Sequence, residues 1–162
     1  MRDGKVLVNG INLYYKLYML SEDAPYLVMM SGLTRDHRIW SPSIVEALSA
    51  SFNLLIFDNR GTGQTDTSLE KYDIETLAND VAMLMNKLLI NKAYILGHSM
   101  GGFTMQYVAA KFPEKVLGLL LFSTTMKQSE FAIEYLNRRL DSIADNLSLE
   151  DIIKTFTPML FA

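Results

Sequence analysis

Cysteine is absent from the 162 residues. That excludes a disulfide framework, a thiolate metal site and a cysteine nucleophile. Histidine is scarce, with 2 in the chain, His37 and His98. Few imidazoles leave few candidates for a general base near neutral pH. Lys and Arg total 15 against 18 Asp and Glu, a net charge of -3, and there is no basic run or stripe. Nothing in that pattern suggests a nucleic-acid partner. No apolar run is long enough to span a bilayer, and Met1-Arg2-Asp3-Gly4-Lys5 carries no apolar signal region. The expectation is a cytoplasmic protein with no membrane partner. No internal repeat, low-complexity segment or flexible linker interrupts the chain.

What is present suits one globular core. Hydrophobic residues make up 49% and charged residues 20%, ordinary proportions for a folded domain of this size. Val6-Leu7-Val8, Asn9-Gly10 and the run from Ile11 to Leu20 read as a hairpin on a two-residue turn. Tyr26–Met30 is a continuous apolar run, the pattern of a strand buried on both faces. Ser41 and Pro42 set an N-cap and first helical position, with a helix to about Ser49. Phe52–Phe57 is the next strand, ending at Asp58. The segment 58–68 is built from Gly, Thr and Asp, so turns shape it. Asp73 caps a helix whose Ile74, Leu77, Val81, Leu84 and Leu88 form one apolar stripe. Ala93–Leu96 is a buried strand, and Val116–Phe122 a very apolar one.

Between those last two strands lies Gly97-His98-Ser99-Met100-Gly101. A helical pattern follows at once and runs to Phe112, before Pro113. Strand, sharp turn and helix place Ser99 at an apex. Small residues two before and two after it let strand and helix pass closely. A strained backbone there lifts the hydroxyl clear of the sheet. Ser99 is therefore the candidate nucleophile. Alternating strands and helices imply a parallel sheet with helices on both faces. Ser31, Asp58, Ser99 and Ser123 then share the rim at the carboxyl ends of the strands. Six strands are expected, with the strand before Ser99 central.

Gly97-His98-Ser99-Met100-Gly101-Gly102 resembles the nucleophile elbow of the α/β-hydrolase superfamily. Ser31-Gly32-Leu33-Thr34-Arg35-Asp36-His37-Arg38-Ile39-Trp40 is similar to the family's oxyanion loop. Asp58-Asn59-Arg60-Gly61-Thr62-Gly63-Gln64-Thr65 resembles its D-x-R-G-x-G-x-S loop. The resemblance covers residues 5–125 and implies a mostly parallel α/β-hydrolase core over 1–125. Residues 126–162 look like the beginning of a helical lid, with Ser129 and the Ser148–Asp151 capping box as helix starts. It also implies a serine hydrolase of small esters, lactones or related acyl compounds, working without metal or cofactor. The backbone N–H groups of Leu33 and Met100 would form the oxyanion hole. Gly32, His98 and Trp40 are candidate pocket residues, Trp40 with core packing as its other reading. The family usually has His-Gly where this chain has Ser31-Gly32; the donor is a backbone amide, so the change is mild.

The resemblance also shows what this stretch lacks. The family order is serine, acid, histidine, and no histidine follows Ser99. His98 adjoins the serine, and the turn points adjacent side chains apart. His37 lies upstream, as a solvated or loop-bracing residue. Ser123-Thr124-Thr125, one family position for the acid, has no carboxylate. The expectation is a fold cut before its last strands. Three functional readings stay open: a serine hydrolase, an inactive binding or interaction module, and a half-enzyme completed by another chain. Self-association or pairing with a missing C-terminal half is expected.

Overall fold

The computed structural model describes residues 1–68, 70–127, 130, 133, 134, 137, 138 and 148. Two compact units divide the chain, Met1–Thr125 and Met126–Ala162. The helices read from Ser129 and Ser148 lie outside the described residues, apart from isolated positions.

The first unit is a six-stranded sheet. Strands β1 (Arg2–Val8) and β2 (Ile11–Tyr18) form the hairpin. Asn9 and Gly10 take φ of 45° and 80°, the doubly positive pair that matches the twist of the flanking strands. Next come β3 (Tyr26–Met30), α1 (Pro42–Ser49), β4 (Asn53–Phe57), α2 (Ile74–Lys87), β5 (Ala93–His98), α3 (Met100–Lys111) and β6 (Val116–Phe122). The strand order is β1-β2-β4-β3-β5-β6. β4–β3, β3–β5 and β5–β6 pair in parallel; the two pairings of β2 are antiparallel. β5 is an interior strand but not the central one expected, because only β6 lies beyond it. It is also longer than its apolar run, taking in Gly97 and His98 through their ladder to Leu121 and Phe122.

Successive side chains of a strand point to opposite faces, and β3 shows the consequence. Leu27 and Met29 join Leu54, Ile56 and Leu96, packed under Val45 and Leu48 of α1. Val28 and Met30 face the other way and join Leu55, Phe57 and Ile95 under Leu77, Val81 and Leu84 of α2 and Met105 and Val108 of α3. Helices therefore cover both faces, as the alternation of elements predicts. The N-caps are as read: Ser41 Oγ accepts from the Ile44 amide and Asp73 from the Thr76 amide. No helix among the described residues is long and apolar enough to cross a membrane.

Candidate active site

Ser99 sits at the junction of β5 and α3 with φ 54° and ψ -119°. A β-carbon makes that region costly, about 1–3 kcal/mol, so surrounding structure must hold it. The Ser99 amide donates to the Phe122 carbonyl (2.9 Å), and the Gly102 amide donates to the Ser99 carbonyl (2.9 Å). The glycines act by close approach. A β-carbon on Gly97 would collide with the Gly101 backbone, and one on Gly101 would lie 2.5 Å from the Met30 carbonyl oxygen and 2.7 Å from that of Ser31. Both obstacles are backbone and cannot swing aside. Gly101→Val is therefore expected to destabilise the fold by about 3 kcal/mol, the upper end of overpacking costs. Urea unfolding reads this, and an unchanged midpoint would show that α3 shifts freely.

The loop after β3 reaches the serine. A β-carbon on Gly32 would lie 3.1 Å from Ser99 Cβ and 3.3 Å from His98 Nδ1. The loop is fixed from within and from β4. The Arg35 amide donates to the Gly32 carbonyl (3.2 Å), Ser31 Oγ to the Arg35 carbonyl (2.8 Å), and Asn59 Nδ2 to the Ser31 carbonyl (3.1 Å). Neither the Leu33 nor the Met100 backbone amide has a hydrogen-bond partner among the described residues. The Ser99 hydroxyl has none either. The three groups that the sequence picks out for acyl chemistry are thus unpaired, and the Gly32 turn touches the serine.

The two histidines occupy different surroundings. His37 is buried, not solvated. Its backbone amide (2.8 Å) and its Nδ1 (2.7 Å) both donate to Oδ1 of the fully buried Asp58. The Gln64 amide donates to Oδ2 (2.8 Å). Asp58 thereby ties the loop after β3 to the loop after β4, so of the two readings of His37 the loop-bracing one holds, with Asp58 as the partner the sequence does not name. Asp36 and Arg38 pair beside it at 2.6 Å, and the Arg38 guanidinium holds the Asp36 carboxyl down at about 2. Asp36, His37 and Asp58 bring potential metal-ligand atoms within 4.8 Å of one another. Those atoms already serve these internal bonds, so the trio reads as a brace. His98 is half-buried and its Nδ1 is buried without a partner. Its ring lies edge-on to Trp40, centroids 6.5 Å apart. Trp40 packs on the α1 side of the sheet and lines a groove there whose walls do not include Gly32 or His98.

Arg60 and Asp80 are the functional-looking residues of this rim that the motif reading underweights. The guanidinium donates to both carboxylate oxygens, Nε to Oδ2 at 2.9 Å and Nη2 to Oδ1 at 2.8 Å. Asp80 holds the arginine protonated more firmly than usual, chiefly through those bonds. Arg60 thus pins the loop after β4 to α2.

Comparison with known proteins adds four findings. The family model for the alpha/beta hydrolase fold matches residues 25–153. Over 115 residues the chain is 37% identical to 3-oxoadipate enol-lactonase 1 of Acinetobacter baylyi, covering 68% of this chain and 40% of that one. Over 113 residues it is 32% identical to a candidate carbamate hydrolase, RutD, of Pantoea ananatis, covering 68% and 41%. The chain therefore spans about 40% of the length of these curated relatives. A solved hydrolase structure from Pseudomonas aeruginosa superposes with a TM-score of 0.81 at 22% identity, covering 95% of this chain and 57% of that one.

Proposed function

Because the chain belongs to the alpha/beta hydrolase fold family, we propose that it forms the nucleophile-bearing part of a serine hydrolase acting on small esters, lactones or related acyl compounds. The observation that carries this is Ser99, held at positive φ between β5 and α3 with the Gly32 turn against its Cβ. In this reading Ser99 Oγ attacks the acyl carbonyl carbon. The carbonyl electrons move onto oxygen, and the Leu33 and Met100 amides donate to that oxyanion. The serine proton passes to a base, and the leaving oxygen or nitrogen departs with a proton as the acyl-enzyme forms. The enol-lactonase and carbamate-hydrolase names of the relatives both describe a carbonyl bearing a heteroatom leaving group. That is the substrate class this site would take.

Base and acid are assigned to polypeptide outside these residues. Among the described residues neither His37 nor His98 forms a hydrogen bond to Ser99 Oγ. A second reading rests on the same observation: with no base on Ser99, the 162 residues act as an inactive binding module, or as half of an enzyme completed by another chain. We propose that residues 126–162 are the beginning of a helical lid. The cytoplasmic setting expected from the sequence belongs to the same proposal.

A fluorophosphonate tests the nucleophile directly. Ser99 Oγ displaces fluoride at phosphorus, and the adduct keeps the tetrahedral shape the oxyanion donors fit. Oxyanion and binding effects survive loss of triad members, at about 10³-fold over water. Slow labelling of the peptide that contains Ser99 is expected, lost in Ser99→Ala. Adducts elsewhere, or none on a folded sample after long incubation, count against the reading.

The partner proposal rests on β6. It is the outer strand of the sheet, and Leu117, Leu119, Leu120, Leu121 and Phe122 are all exposed. Side chains on both of its faces are therefore open, as in a strand built for a sheet interior. An apolar, uncharged edge is a template for another chain. Self-association, or pairing with a C-terminal half, is the expected behaviour. Light scattering after size exclusion at tens of micromolar checks it, and a clean monomer would contradict it.

A further inference from the structure

Trp40 also lines a groove of about 530 Å³ whose walls do not include Gly32, His98 or Ser99. Its size is that of a small-molecule site. Trp40, Pro42, Val45 and Ile56 supply apolar wall, and Lys16 supplies charge. The polar groups differ in depth. Lys16 is half-buried on β2 and has no ion-pair partner among the described residues. The Trp40 indole N–H, a donor only, is buried with no acceptor. Glu46, the acidic group of the lining, is exposed on α1 and lies beyond ion-pair reach of Lys16. Arg38 is paired with Asp36, and His37 Nδ1 is hydrogen-bonded to Asp58. The half-buried Lys16 ammonium is therefore the unpaired charge of this groove, beside the half-buried Tyr18, and what it lacks is an acceptor carrying negative charge. A half-desolvated ammonium without a counter-charge is unfavourable, and a carboxylate beside it relieves that cost.

We propose that this groove binds a small carboxylic acid with a flat apolar body, its carboxylate on Lys16 and its body against Trp40, Val45 and Ile56. The inference stands on the groove and does not depend on Ser99 being a nucleophile.

Trp40 is the sole tryptophan of the chain, so its emission reports on this wall and on the neighbouring His98 ring, and the Lys16 variants separate the two. Benzoate is the probe and methyl benzoate its uncharged counterpart. Titrating the full chain with benzoate should give a saturable change in emission, matched by calorimetry, and methyl benzoate should give none. Lys16→Gln should weaken benzoate binding about tenfold or more; Lys16→Arg, which keeps the charge, should retain it. Glu46→Gln should tighten binding by removing a like charge. Ser99→Ala should leave it unchanged. Thermal melts establish that each variant is folded. No saturable change in either readout, equal affinity in folded Lys16→Gln, or loss of binding in Ser99→Ala would each overturn the proposal, the last by placing the ligand at the elbow.

Discussion

A chain of these 162 residues should hydrolyse p-nitrophenyl acetate about 10⁶-fold more slowly than a serine hydrolase with its triad intact. That is the loss seen when the base of such a triad is removed. A serine hydroxyl is a weak nucleophile until its proton is taken, and no described group accepts a hydrogen bond from Ser99 Oγ. His37 holds Asp58 through its backbone amide and Nδ1, and among the described residues neither its ring nor that of His98 forms a hydrogen bond to Ser99 Oγ. The residual rate should come from the unpaired Leu33 and Met100 amides and should fall further in Ser99→Ala. Adding imidazole supplies a diffusible base, and the part of its effect that depends on Ser99 is the difference between the two proteins. Turnover near 10 s⁻¹, ordinary for an enzyme, would mean that a base had been misplaced; His37→Ala would then be the first variant to make.

The fold was legible where local signals agree with packing. Tyr26–Met30 is a strand over the residues read, since an unbroken apolar run of that length suits a doubly covered sheet; Val116–Phe122 is one too, though its side chains are largely exposed here. Ser41 with Pro42, and Asp73, mark helix starts to the residue because capping is a local bond. Strand order was less legible. The place of β5 depends on how many strands lie beyond β6, which no local pattern encodes. At the site, Ser99 was readable because the elbow is a short-range steric device. His37 was readable as loop-bracing, but its partner Asp58 was not, since the bond joins residues 21 apart through a fold that must exist first. A signal for Asp80 was present and passed over. It lies three residues after Leu77 and four before Leu84, on the buried stripe of α2. A carboxylate there requires a partner, and the arginine of the Asp58–Thr65 loop is that partner.

Removing Asp80 should cost more stability than any other single change to a charged residue considered for this rim. Asp80 and Arg60 have side chains only 3% and 6% exposed. Asp80 also accepts from Asn9 Nδ2 (2.9 Å), and Arg60 donates to the Asn9 carbonyl (3.3 Å) and stacks 5.5 Å from the Tyr72 ring. Asp80→Ala leaves a guanidinium buried without a counter-charge, at a cost of about 3–5 kcal/mol. A domain has about 5–15 kcal/mol in total, so the variant should unfold at much lower urea. Replacing both members with apolar residues, Asp80→Leu with Arg60→Met, should recover most of the loss, because desolvating the pair offsets much of its attraction. The exposed Lys5–Asp66 bridge at 3.3 Å is the control, and Lys5→Ala should cost less than about 1 kcal/mol. Asp80→Ala within that same small range would show the buried pair to be as well solvated as the surface one. The effect should reach the serine as well. Arg60 pins the loop that carries Asp58, Asp58 holds His37, and His37 lies in the loop whose Gly32 touches Ser99. At a temperature where Asp80→Ala remains folded, phosphonate labelling of Ser99 should therefore slow relative to the parent, while Lys5→Ala labels at the parental rate.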